Sequence, residues 1–403
     1  MRRLEALAAV AAAAAVVVGA VLIATGGGSH HHPHPRAAPV APPPQRAVPP
    51  PAQRAALPAP AGQAFGINVN RLFNDRAYAQ PQIDAQLAAV RATGATVARS
   101  DAFWEAAEPH APVDGRHRYD WSFDDEIAGS LAAHGLTWLP IIDYTAPWAQ
   151  SVAGQDHSPP QPSDLVDYAA YAGAFAARYG SGGAFWRAHP ELTPAPVTAI
   201  EIWNEPDNPE FWAPGPDPAS YARMYLAART AIDAADPAVR VLVGGLTNAS
   251  AFLPAMVRAV TLLRGHVDGV ALHPYGTPAV VLARVRGARA ALVSVGMGPV
   301  PLYVTEFGWT TQPPGAIGYA PAAQRPADIQ RVVTALGHLQ CGLAATLLYT
   351  WVTPERDPGD GQDWYGIANP TDPSAATPDT AAFAAGLRAA AAPDAAPPPP
   401  CAT

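Results

Sequence analysis

The sequence predicts an α/β chain folded as one (β/α)8 barrel, and three observations carry that prediction. From residue 64 onward eight short apolar runs alternate with longer amphipathic stretches, as they do where parallel strands are joined by helices. The body holding them spans residues 63–392, a length that an α/β barrel fills as a single domain. No glycine-rich phosphate loop follows the first run, where "FGINVNRLFND" stands instead. That argues against the competing open, doubly wound sheet.

The runs follow in order. "AFGINVN" (64–70) leads to the helical stretch "PQIDAQLAAVRATG", "ATVARS" (95–100) to "DDEIAGSLAAHG", and "TWLPIID" (137–143) to "PSDLVDYAAYAGAFAARYG". "VTAIEIWNE" (197–205) leads to "PASYARMYLAARTAIDAADP". "VRVLVGGL" (239–246), "VDGVALH" (267–273), "PLYVTEF" (301–307) with "PADIQRVVTALGHLQ", and "ATLLYTWV" (345–352) complete the set. Several helical stretches begin at Pro, Asp or Ser and stop at Gly or Pro, the usual start and stop signals.

Outside the body the composition changes. Many of the 47 prolines fall in segments 29–62 and 393–403, which read as extended linker and tail. Residues 1–28, "MRRLEALAAVAAAAAVVVGAVLIATGGG", place two arginines before an apolar run. The run is long for a cleaved export signal and close to the roughly 20 residues that span a bilayer, so signal peptide and membrane anchor both stay open. Either places the body outside the cytoplasm, secreted or held on the outer face of the membrane. His30, His31, His32 and His34 sit in the linker without the fixed geometry of a metal site.

The formal charge is −8 with the acids dispersed, and every basic residue is Arg. Neither a nucleic-acid footprint nor a basic membrane patch is visible, so a neutral partner is expected. Cys341 and Cys401 are the two cysteines. A buried, unpaired Cys341 is the expectation, and a bridge to Cys401 the alternative in an oxidising compartment.

In a barrel, functional groups gather where strands end. The ends here are polar or aromatic: Asn68 and Asn70, Arg99 and Asp101, Asp143 and Tyr144, Asn204 and Glu205, Thr247 and Asn248, His273 and Tyr275, Glu306 and Trp309, Trp351. Asn and Asp are common after strands. Glu is not, and Glu205 and Glu306 end the fourth and seventh runs. Two carboxyl groups are what glycosidic hydrolysis requires, one to protonate the leaving oxygen and one to meet the charge at the anomeric carbon. Glu201, placed inside the barrel by alternation, reads as structural and in need of an Arg partner. Histidines other than His273 fall mostly in loops or helices, which is too few at strand ends for a metal site.

"EIWNEPD" and "LYVTEFGW", with "ALHPYG" between them, resemble the motifs of clan A glycoside hydrolases, retaining enzymes on the (β/α)8 TIM barrel. The resemblance covers the whole body. It implies Glu205 as acid/base, Glu306 as nucleophile and Asn204 as the amide for the sugar hydroxyl beside the anomeric carbon. Arg99 and Tyr275 match groups that hold the nucleophile, and His273 matches a strand-six histidine. Trp351 matches an aromatic sugar platform, with Trp148 and Trp309 as further candidates. Family 39 and its endoglycosidase relatives are most similar. "SDAFW" stands where its xylosidase and iduronidase members carry His-Gly, and Asp143-Tyr144 where family 5 carries a histidine. The expectation is a monomer that hydrolyses oligo- or polysaccharide without cofactor or metal. A non-catalytic carbohydrate-binding barrel, a transglycosylase and a family 5-like endo-glucanase remain alternatives.

Overall fold

The computed structural model describes residues 57, 58, 60, 62–316, 318–392 and 401. The N-terminal apolar segment, most of the Pro-rich linker and all of the tail but Cys401 lie outside them. Eight strands close into a barrel in chain order. They are β1 (Ala64–Asn68), β2 (Val97–Phe103), β3 (Thr137–Asp143), β4 (Ala199–Ile202), β5 (Arg240–Leu246), β6 (Gly269–Leu272), β7 (Leu302–Val304) and β8 (Leu343–Leu348). A helix follows each: α1 (Gln80–Ala92), α2 (Ser122–Ala133), α3 (Leu165–Tyr179), α4 (Pro218–Ala235), α5 (Ala249–Ala259), α6 (Pro278–Ser294), α7 (Arg325–His338) and α8 (Pro378–Ala390). β1 pairs in parallel with β2 on one side and β8 on the other, so no strand edge is left open.

The helices cover the barrel with one apolar face each. In α3 the buried Tyr168, Tyr171, Phe175 and Tyr179 recur at helical spacing. Buried phenols need partners, and several take carbonyls of the sheet: Tyr168 donates to Ile142 (2.8 Å), Tyr221 of α4 to Ile202 (2.7 Å) and Tyr225 to Val241 (2.8 Å).

The lumen changes character along its axis. Leu139, Ala199, Leu242, Tyr303, Ala345 and Leu347 form an apolar plug. Toward the C-terminal strand ends it gives way to Asn68, Arg99 and Glu201, all fully buried. This polar layer is the floor of the site.

At the opposite end the expectation of an unpaired Cys341 is corrected, because Cys341 is bonded to Cys401 with Cα atoms 4.8 Å apart, within disulfide range. His338, at the end of α7, lies 3.2 Å from the Ala389 carbonyl near the end of α8. The chain therefore leaves α8 beside the turn that carries Cys341. Among the described residues no helix is long and apolar enough to cross a membrane.

Candidate active site

β4 stops at Ile202, short of the run that ends at Glu205 in the sequence reading. The strand is ended by the turn at Trp203 and Glu205, whose φ angles are 68° and 45°, backbone values that non-glycine residues seldom adopt. The turn also takes Trp203 out of the alternation that places Glu201 inside the barrel. Glu201 remains in the lumen, whereas Trp203 packs edge-on against Trp212 and Tyr144, with ring centroids 5.4 Å and 5.2 Å away. The Glu205 carboxylate is carried over the barrel mouth.

Arg99 organises the floor. Its Nε and Nη2 donate to the two oxygens of Glu201, each at 3.0 Å. Nη1 donates to Asn68 Oδ1 (2.9 Å) and to Glu306, and Nη2 reaches Asn204 Oδ1 (3.2 Å). Glu201 also accepts from the Gly245 N–H at 2.7 Å. A buried charge pair is tolerable only when its remaining hydrogen-bonding capacity is filled, and here it is. Asn68 is itself held, since its amide donates to the carbonyls of Thr305 (2.9 Å) and Leu348 (3.1 Å).

Glu306, two residues beyond β7, accepts from Arg99 and from the Tyr275 hydroxyl, the latter at 2.5 Å. Burial first, and then the Glu306 charge, hold the Tyr275 phenol well above its ordinary range, so it stays a donor. Glu205 accepts from Asn208 Nδ2 at 2.7 Å and faces His273 Nδ1 at 2.8 Å. His273 Nε2 lies 3.3 Å from Arg99 Nη2. Burial alone would depress the His273 pKa, but the Glu306 charge and the bond to Glu205 outweigh it and leave it raised. One carboxylate oxygen of Glu205 and one of Glu306 come within 4.8 Å of each other.

Among the described residues, Glu205, His273 and Glu306 are also the set whose donor atoms converge closely enough to ligate a cation. Those atoms are engaged with one another and with Tyr275, and the Arg99 guanidinium sits directly on Glu306. A positive charge already in contact with the carboxylate opposes a second one.

The pair lies in a cleft of about 1280 Å³, whose lining includes Asn204, Glu205, His273, Tyr275 and Glu306. The three tryptophans expected as platforms are placed elsewhere. Trp351 is 2% exposed and donates its indole N–H to Gln86 of α1 at 2.6 Å. Its backbone N–H bonds to the Asn68 carbonyl (2.9 Å), so the chain past β8 turns toward β1 and carries the ring into the core. Trp309 is 3% exposed with its N–H on the Gly276 carbonyl (2.8 Å), and Trp148 packs on Trp104 with its N–H on the Glu108 carbonyl (2.9 Å). None of the three lines the cleft. The aromatic surfaces there include Tyr349, the first residue past β8, together with Tyr365, Tyr144 and Phe211. Sequence reasoning missed Tyr349. Its signal was present, an aromatic residue at a strand end, but Trp351 has the same parity two residues later and drew the assignment.

The closed eight-stranded parallel barrel is an architecture shared with glycoside hydrolases of known structure. The monomeric beta-xylosidase from Caulobacter crescentus CB15 superposes with a TM-score of 0.60 at 23% identity, over 82% of this chain and 69% of that one. A family 39 enzyme from Xanthomonas axonopodis pv. citri gives 0.62 at 18% identity, over 82% and 67%. A Bacteroidetes-affiliated family 5 cellulase gives 0.56 at 14% identity, over 83% and 93%. These are the families the sequence motifs resemble, and at such identities the likeness establishes the fold. No family model matches the sequence, and no curated protein matches it.

Proposed function

We propose that the protein is a retaining O-glycoside hydrolase acting on extracellular oligo- or polysaccharide, with Glu306 as nucleophile and Glu205 as acid/base. The observation that carries this reading is the approach of the two carboxylates to within 4.8 Å. Retaining pairs lie about 5–5.5 Å apart, and inverting pairs about 6.5–9.5 Å, to leave room for a water. The partners distinguish the two acids. Glu306 receives donors from Arg99 and Tyr275, which suits an ionised nucleophile. Glu205 touches a neutral amide and an imidazole.

In the first step a Glu306 oxygen attacks the anomeric carbon while the bond to the leaving oxygen breaks and Glu205 protonates that oxygen. The ester formed on Glu306 carries no charge, which makes Glu205 a stronger acid and readies it as a base. Glu205 then takes a proton from water, the water oxygen bonds to the anomeric carbon, and Glu306 is released. Because Arg99 occupies Asn204 Oδ1, the Asn204 NH2 group, which also bonds the Tyr144 hydroxyl, is the part that donates to the neighbouring sugar hydroxyl, whose hydrogen bond tightens in the transition state. Arg99 thus ties nucleophile, sugar-binding amide and barrel floor together.

Export of a monomer, secreted or held on the outer face of the membrane, is part of the proposal. The N-terminal apolar segment supports it, and so does the Cys341–Cys401 bridge, since disulfides persist in oxidising compartments.

The test is hydrolysis of aryl glycosides by Glu205→Ala and Glu306→Ala. Loss of the acid/base should cost about 10²–10⁴-fold on leaving groups that need a proton. Azide should restore Glu205→Ala on activated leaving groups and yield a glycosyl azide of retained configuration. Full activity in Glu306→Ala would rule out the assignment.

A further inference from the structure

The cleft is larger than a terminal sugar requires, and it is furnished on both sides of the carboxylates. We infer, on the basis of the glycosidase reading above, that the protein cuts inside a polysaccharide chain and holds the glycan across the barrel mouth with sugars on either side of the scissile bond.

Small-molecule sites typically enclose about 300–1,000 Å³, and this cleft has about 1280 Å³. Its walls come from two sectors of the barrel. One, built from the end of β2 and the segments after β1 and β8, supplies Asn70, Asn74, Asp101, Tyr349 and Tyr365. The other, built after β3 to β6, supplies Tyr144, His157, Phe211, Asn248 and Arg284. Glu205 follows β4 and Glu306 follows β7, so the reacting bond lies between the sectors.

Each sector has an aromatic ledge. Tyr349 lies 6.2 Å from Tyr275 and 5.4 Å from Tyr365, centroid to centroid. Across the cleft, His157 lies 4.2 Å from Tyr144 and 5.3 Å from Phe211. Such rings present flat apolar surface with polar edges, which suits the C–H faces of sugars. The first sector also offers a fixed acceptor. Asn70 and Asn74 both donate to Asp101 Oδ2, at 2.7 Å and 2.5 Å, which pins the carboxylate and leaves Oδ1 for a sugar hydroxyl. An enzyme that removes terminal sugars needs one wall shut against the chain end. Here both sectors carry groups suited to holding sugar.

The leaving part of the substrate must lie on the side of Glu205, which protonates it, so Phe211 and His157 belong to the leaving sugar and Tyr349 and Asp101 to the retained one. A panel of glycosyl fluorides identifies the accepted sugar, and the dye-cross-linked polymer of that sugar then tests the mode of attack. Soluble colour, a fall in viscosity and early products of several sugar units are expected. Phe211→Ala should lower kcat/KM on oligosaccharides about tenfold more than on the fluoride, which brings no leaving sugar to the ledge. Monosaccharide as the sole early product, or an untouched polymer beside a hydrolysed fluoride, would overturn internal cleavage while leaving the glycosidase reading intact. Fluoride hydrolysis that survives Glu306→Ala would remove both.

Discussion

At Gly245 a β-carbon would lie 2.0 Å from His273 Nε2, with two further atoms of the same ring within 2.5 Å. The imidazole occupies the space a side chain would need, and it is pinned there between Arg99 and Glu205. Gly245 also gives its N–H to Glu201, so one small residue serves both the floor and the acid/base. Gly308 plays a similar part beyond β7, where a β-carbon would meet the Tyr349 carbonyl at 2.0 Å. Gly245→Ala has to displace His273 or the strand. Overpacking of this kind costs about 1–3 kcal/mol, and kcat on an aryl glycoside should fall at least about tenfold as the contact with Glu205 is lost. Denaturant unfolding and steady-state kinetics on one preparation check both effects. Parental activity in the variant would show that the imidazole position does not matter to Glu205.

β3 ends in a carboxyl group that nothing in the proposed chemistry uses. Asp143 is fully buried, and neither of its oxygens has a hydrogen-bond partner among the described residues. Burial, and next the nearby Asp101 charge, raise its pKa well above the ordinary 3.8, with Arg99 opposing. An acid with a raised folded pKa holds its proton more tightly folded than unfolded, so stability falls as pH climbs from the unfolded value toward the folded one, by at most about 1.4 kcal/mol per pH unit. Asp143→Asn removes that penalty. The variant should match the parent near about pH 4 and exceed it increasingly toward about pH 7, as read by urea unfolding at several pH values. A gap that does not change with pH would mean that Asp143 ionises in the folded chain. The eight elements and the Glu205–Glu306 pair were legible in the sequence because each leaves a local mark: an apolar run, a cap, or a Glu where turn formers are usual. The environment of Asp143, the assignment of Trp351 to the core and the reversal at Trp203 were not. Each depends on a backbone turn or on a neighbour distant along the chain, such as Gln86 for Trp351, and alternation assumes a strand that runs straight on.

Across the whole molecule the two ends of the barrel divide the work. The C-terminal strand ends hold the charged floor, the carboxylates and the cleft, where stability is spent on a buried Arg99–Glu201 pair and on Asp143, whose oxygens have no hydrogen-bond partner among the described residues. The opposite end carries the Cys341–Cys401 bridge, which ties the segment beyond α8 to the turn before β8, on the face of a barrel that serves stability and not the chemistry. The bridge closes a loop of 60 residues, and the loss of unfolded-chain entropy on closing such a loop corresponds to about 4 kcal/mol. Cys401→Ser should therefore lower the melting temperature by roughly 5–10 °C while kcat at moderate temperature stays within about twofold of the parent. Reductant should shift the parent to the same melting temperature and leave Cys401→Ser where it is. An unchanged melting temperature in both experiments would show that the bridge contributes nothing to the fold, and a parallel loss of kcat would show that the two ends of the barrel are coupled.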